Sequence, residues 1–314
     1  MQKFLKSTFL KYYIMYHIEG LIAAPFTPFD ASGEVNLVMV GKLQKFYKDN
    51  GIAGVFICGT TGECSALTFD EKKLLFEEWS KYKTDDFKVI GFLGGTSVKE
   101  CQQLARVAKD CDLDAVSVTA PYYFKPTGVE ELAAFCGEVA SASDLPFYYY
   151  HIPIFTGAYY NMYDLLQQVD GNIPNFAGIK FTYENMMDFQ RCLEYKKRKY
   201  DILWGRDEML LAGLVTGAKG AIGSTYGYSA PVCRQIIEAY NRMDIEQARA
   251  LQLKALGYMT LLHRYGSSTG KAFMKAVGMD CGGYRLPVRN LTNEQMQQFL
   301  SELKATDFFE YCSK

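Results

Sequence analysis

Short apolar or β-branched runs alternate along this chain with longer stretches in which apolar residues recur every three or four positions. These are the periods of a buried strand and of an amphipathic helix. LIAAPFTPF (Leu21 to Phe29) precedes the helical pattern NLVMVGKLQKFYKDNG, which ends on Gly51 as a helix commonly does. GVFICG precedes TFDEKKLLFEEWSKY, where a Thr or Asp cap is followed by acidic residues in the first turn. KVIGFLGG precedes SVKECQQLARVAKDC, with Ser97 and Glu100 at capping-box spacing. AVSVTAP, PFYYYHIP, FAGIKFT, DILWGRD and GAIGST are each followed by a helical pattern in the same way.

Eight strand-then-helix units with strands starting about 20 to 35 residues apart have the spacing of parallel crossover units. Closed on themselves they form an α/β fold, the (β/α)8 TIM barrel, expected here over residues 20–243. An open doubly wound sheet is the competing architecture; eight regular units without a strong dinucleotide fingerprint favour the barrel. After Asp244 the strand signals stop, and residues 244–314 read as a C-terminal helical extension. Residues 1–19 form an expected N-terminal extension. Lysines at positions 3, 6 and 11 break its apolar stretch and no small-residue cleavage site follows, so it reads neither as a signal peptide nor as a membrane span. Met15 is a candidate alternative start.

Composition narrows the class of partner. With 34 basic and 35 acidic residues the net charge is −1, which gives no bulk attraction to nucleic acid or to an anionic membrane. The one basic run, EYKKRKY from Glu194 to Tyr200, reads as a solvated helix end. Nine cysteines, an odd number, show no two-residue gap, and several lie in apolar runs where a thiol behaves as a small hydrophobe. A reducing, cytoplasmic compartment is expected. Three scattered histidines (His17, His151, His263) give no basis for a metal site, and none is expected.

Chemistry in such barrels gathers where the strands end and the strand-to-helix loops converge. That rule collects Thr60, Thr61 and Glu63, then Tyr122 and Tyr123, Tyr150 and His151, Lys180, Asp207 and Glu208, and Ser224. Lys180 ends the apolar run Phe176-Ala177-Gly178-Ile179 and is either a solvated or ion-paired lysine or a nucleophile that forms an imine with a carbonyl. The nucleophile must be neutral, and at a pKa of ~10.4 only on the order of one amine in a few thousand is neutral at pH 7. Burial between apolar flanks, here Ile179 and Phe181, can lower that pKa by about three units. GTTGE (Gly59 to Glu63) offers two hydroxyls and a run of backbone amides, an anion cradle or a plain tight turn. Tyr150 is a candidate general acid/base in a tyrosine run that also supplies core.

GTTGE, YYYHIP with TG beyond it, GIKFT, WGRDE and GAIGST, in this order and after the opening APFTPF, resemble the pyruvate-dependent class I aldolases of the N-acetylneuraminate lyase and dihydrodipicolinate synthase family. The resemblance runs from about Gly20 through the C-terminal helices. It implies that Lys180 is the Schiff-base lysine, Tyr150 the proton-transferring phenol, and Thr60 and Thr61 the holders of the pyruvate carboxylate. Tyr123 would be lent across a subunit interface, which implies a homo-oligomer, commonly a tetramer. No arginine follows the Pro of the fifth-strand motif, where Ile154-Phe155-Thr156-Gly157 stand and where dihydrodipicolinate synthases place one. Gly205, Asp207, Glu208 and Ser224 match contacts to the hydroxylated tail of a sugar acid, and Thr182 a threonine near the reacting carbons, as in the sialic acid lyases. Asp207 has helix N-capping as a competing role. The resemblance thus implies reversible retro-aldol cleavage of a sialic acid, with no cofactor. A related aldolase for another 2-oxo acid and a non-catalytic 2-oxo-acid-binding barrel are the rivals.

Overall fold

A computed structural model describes residues 17–266 and 268–314. Most of the expected N-terminal extension, with the alternative start at Met15, lies outside the described residues. Eight parallel strands follow one another around a closed barrel: β1 (Gly20–Ala23), β2 (Gly54–Ile57), β3 (Lys88–Gly94), β4 (Ala115–Thr119), β5 (Phe147–His151), β6 (Phe176–Phe181), β7 (Asp201–Trp204) and β8 (Gly220–Gly223). β8 closes the ring on β1, with Gly20 opposite Gly220 and Ile22 opposite Ile222. β1 is shorter than its apolar run because Pro25 and Pro28 have no N–H to give a ladder.

Both faces of every strand are covered, which is why the strands read as continuous apolar runs. Inward-facing Ile22, Phe56, Ile90, Phe92, Ala115, Tyr148, Tyr150, Leu203 and Ile222 fill the barrel as one cluster. Their neighbours in sequence, among them Val55, Val89, Val116, Tyr149, Ile179 and Trp204, pack against the helices. Tyr148 donates a 2.7 Å hydrogen bond to Asp201, which also accepts from the Ile18 amide at 3.0 Å, and together they close the N-terminal end of the barrel.

The helices that follow the strands are α1 (Val38–Asp49), α2 (Phe69–Ser80), α3 (Val98–Asp110), α4 (Val129–Ala140), α5 (Met162–Val169), α6 (Met186–Leu193), α7 (Leu210–Thr216) and α8 (Tyr226–Asn241). Thr68 and Glu71 form a full capping box on α2. Ser97 accepts from the Glu100 amide on α3, but the Glu100 carboxylate turns to Lys72 at 3.2 Å, so only half of that box exists. α8 is kinked at Ser229, ahead of Pro231. The basic run follows α6 with Lys196 and Lys197 exposed, as a solvated helix end, and Lys196 and Lys199 in addition fold back on Asp170, which also accepts from Tyr200 at 2.7 Å.

Beyond the barrel come α9 (Ile245–Tyr265), α10 (Thr269–Ala276), α11 (Asn293–Lys304) and α12 (Phe308–Tyr311). Asp244 caps α9 and a Thr292–Gln295 box caps α11. Phe273 of α10 stacks on Tyr228 of α8 at 4.6 Å and meets Phe299 and Phe308 edgewise or tilted, so one aromatic cluster pins the helical region to the barrel.

A β-carbon at Gly178, in the middle of β6, would stand 1.8 Å from the Asp201 carbonyl oxygen. Gly178→Ala is therefore expected to cost about 3 kcal/mol, in the range of overpacked cores. Urea denaturation checks it, and a variant as stable as the parent contradicts this close approach of β6 and β7.

Candidate active site

The period-two alternation of β6 turns Ile179 and Phe181 outward to the helices and Lys180 inward. Lys180 therefore owes its dryness not to its chain neighbours, as the sequence suggests, but to residues of other strands. In the ladder it stands beside Tyr150 on β5 and Leu203 on β7. Its Nζ lies 4.1 Å from the ring centre of Phe56 and 4.0 Å from that of Tyr150. Phe92 packs against both rings, 5.9 Å from each. With 4% of its surface exposed, Lys180 is desolvated and its pKa drops to about 7; Asp207 and Cys64 oppose the fall. An amine in that condition is half neutral at pH 7.

Of the three consecutive tyrosines on β5, one alone reaches the mouth. Tyr149 faces the helices and Tyr148 is engaged with Asp201 at the other end. Tyr150 points inward above them, its phenol 3.5 Å from the Thr60 hydroxyl. Burial holds that phenol well above its ordinary pKa, so it rests protonated; Thr60 and Thr182 draw it back. The Thr182 oxygen is buried without a full hydrogen bond. His151, gathered to the mouth by the strand-end rule, faces outward against Phe181 and Tyr183. Burial lowers its pKa to about 3, and it stays neutral away from the site.

The GTTGE segment folds as a compact turn. Glu63 N donates to Thr60 O and Cys64 N to Gly59 O, both at 3.1 Å, and Thr27 Oγ1 holds the Gly62 carbonyl at 2.7 Å. Among the described residues, the amides of Thr60, Thr61 and Gly62 have no acceptor. Three free amides and two hydroxyls at a strand end can hold a carboxylate. Thr60, Thr61, Tyr150 and Ser224 line one cavity of about 480 Å³.

The other expected residues are placed less directly. Gly205 and Thr182 are in contact: a β-carbon on Gly205 would lie 1.9 Å from Thr182 Oγ1. Asp207 does not cap its own short helical turn. Its carboxylate accepts from the Thr225 amide and hydroxyl, each at 2.8 Å, and so caps α8 after the neighbouring strand β8. Burial first, then the Glu208 carboxylate, raises the Asp207 pKa. Neither Gly205, Asp207, Glu208 nor Lys180 lines the cavity directly; Lys180 is covered by the Tyr150 ring that does. Tyr122 lines the cavity, whereas Tyr123 is 81% exposed outside it, paired edgewise with Phe124. Cys64 also lines the cavity.

Two parts of the site have no signal in local sequence. Phe56 reads as ordinary strand core, yet its ring lies against the Lys180 amine. Tyr284 to Val288, far down the chain in the helical region, forms a wall of the cavity. Among the described residues no group of three or more His, Cys, Asp or Glu side chains converges on a metal position.

A closed (β/α)8 barrel with a dry lysine, a protonated phenol and an amide-rich turn at its mouth carries the groups that carbonyl chemistry on a carboxylate-bearing substrate requires. The chain belongs to the dihydrodipicolinate synthetase family, which it matches over residues 17–306. It is 36% identical over 303 residues to N-acetylneuraminate lyase of Rattus norvegicus, covering 94% of each chain. The solved structure of Proteus mirabilis N-acetylneuraminate lyase superposes with a TM-score of 0.90 at 37% identity, covering 93% of this chain and all (100%) of that one. The N-acetylneuraminate lyase (sialic acid aldolase) of Aliivibrio salmonicida gives 0.90 at 35% identity over 94% and 98%.

Because the Asp207 charge supports the Lys180 ammonium, Asp207→Asn is expected to lower the pH at which Lys180 loses its proton. The NMR titration of ¹³C-methylated Lys180 reads this; an upward or absent change contradicts the coupling.

Proposed function

We propose that this protein is an N-acetylneuraminate lyase, cleaving N-acetylneuraminate reversibly to N-acetylmannosamine and pyruvate through a lysine imine. The observation that carries the reading is the burial of Lys180 against Phe56 and Tyr150, which makes its amine nucleophilic near neutrality. Neutral Lys180 adds to the keto carbon of the open-chain sugar acid and expels water, forming a protonated imine. The substrate carboxylate rests on Thr60, Thr61 and the free amides of their turn. Tyr150 relays a proton: it takes that of the C4 hydroxyl while passing its own toward the substrate carboxylate. The C3–C4 bond breaks because its electron pair flows into the imine as an enamine, and N-acetylmannosamine leaves. Protonation of the enamine at C3 and hydrolysis of the imine release pyruvate and restore the amine.

In this reading Thr182, with its unsatisfied hydroxyl, stands near the reacting carbons, and Gly205, Asp207, Glu208 and Ser224 serve the hydroxylated tail. One Asp207 carboxylate oxygen accepts both Thr225 bonds, which leaves the other for that tail. The missing arginine after Pro153 speaks against an aspartate-semialdehyde substrate. Tyr123 and Phe124 at 81% and 86% exposure, with Ile154 and Phe155 also exposed, support a homo-oligomer, a tetramer in our reading, in which Tyr123 reaches a neighbouring site. Nine free thiols support a cytoplasmic location. Among the described residues no helix is long and apolar enough to cross a membrane.

Pyruvate release from N-acetylneuraminate, coupled to lactate dehydrogenase with EDTA present, tests the reaction. Lys180→Met is expected to abolish it, together with borohydride trapping by pyruvate. Tyr150→Phe is expected to lower kcat by about 10²- to 10⁴-fold, the worth of general acid/base catalysis, while trapping persists. No pyruvate from the parent enzyme contradicts the substrate, and an unmodified Lys180 peptide after trapping contradicts the imine.

The pH dependence follows from the lysine. The neutral amine reacts, so the initial trapping rate rises with pH and levels off above about 7, where Lys180 has lost its proton. A rate still climbing steeply through pH 9 contradicts a desolvated lysine.

A further inference from the structure

Glu63 ends the GTTGE turn in the left-handed region, at φ +60°, a conformation uncommon for residues that carry a side chain. What holds it lies more than two hundred residues away. Its carboxylate meets the Lys271 ammonium of α10 at 2.8 Å and accepts from the Arg285 amide at 3.0 Å. The Glu63 and Lys271 side chains are only 6% and 3% exposed. Lys271 also bonds the Gly283 carbonyl at 2.7 Å and lies on the rings of Phe29 and Tyr284. The Arg285 guanidinium reaches on to Glu71 and to the Ala66 carbonyl, at 2.8 and 2.9 Å, and covers the Phe29 ring. The chain just after the amide-rich turn is thereby tied to the C-terminal region at positions 63, 66 and 71.

A buried ion pair is a poor source of stability, because desolvation offsets most of its attraction. Its use is to fix a geometry. Here the geometry is that of the free amides of Thr60, Thr61 and Gly62, which immediately precede Glu63. We propose that Glu63, clamped by Lys271 and Arg285, is a positioning residue for the carboxylate cradle, so that the C-terminal helical region sets the affinity for the pyruvyl carboxylate. The inference rests on the function proposed above, which puts that carboxylate in this turn.

The test measures the initial rate of borohydride trapping at Lys180 against pyruvate concentration, in the full-length protein and in Glu63→Gln, Lys271→Met and the double variant. The double variant leaves no unpaired buried charge, so it keeps the test open if a single variant does not fold. Positioning predicts that the half-saturating pyruvate concentration rises by about tenfold or more in each folded variant, equivalent to ~1.4 kcal/mol, while the maximal trapping rate stays near that of the parent. A through-space charge effect moves the single variants in opposite directions, because losing Glu63 leaves an extra positive charge beside the anion and losing Lys271 leaves an extra negative one. Opposite shifts, or an unchanged half-saturation in the double variant, overturn the inference. A role in stability alone lowers the melting temperature without moving half-saturation, and overturns it equally. Absence of trapping in the parent protein overturns the proposed function and this inference with it.

Discussion

The removal of one amine from water governs the rest of this site. Lys180 is buried on two aromatic faces inside a closed ring of strands, and the cost of charging it there is what brings its proton loss to about pH 7. That environment exists only because the barrel closes. Phe56 comes from β2, Tyr150 from β5 and Leu203 from β7, and the ring brings them around β6. An open sheet with the same strands would not place Phe56 over β6.

The same dryness sets what the neighbouring groups can do. The phenol of Tyr150 is held protonated by burial, so it does not rest as a base. Asp207 carries a charge that supports the ammonium, but its two bonds to Thr225 make it first a structural cap for α8. Lowering the lysine pKa and capping the adjacent helix are thus opposed demands on one carboxylate. Gly223 lets that carboxylate come close, since a β-carbon there would stand 1.9 Å from Asp207 Oδ1.

The helical region contributes more than a covering layer. Through Phe273 and its ring neighbours it is fixed to α8, and through Lys271 and Arg285 it grips the turn that follows β2. Tyr284 to Val288 then wall the cavity. A site that begins at the strand ends is completed by residues with no strand of their own.

The order of elements, the closed barrel and the candidate lysine, phenol and amide-rich turn were legible in the chain itself, because strand and helix periods, caps and turn residues are local properties. Alternation within β6 also fixes Lys180 on the face opposite Ile179 and Phe181. Only the tertiary structure decided what covers that lysine, since burial depends on residues of other strands. It separated Tyr150 from Tyr149 and His151, folded Lys196 and Lys199 onto Asp170, and turned Asp207 from its own helical turn to α8. The partners of Glu63 lie beyond reach of sequence for the same reason: a buried charge announces that it needs a counter-charge, but only the packed chain says which one.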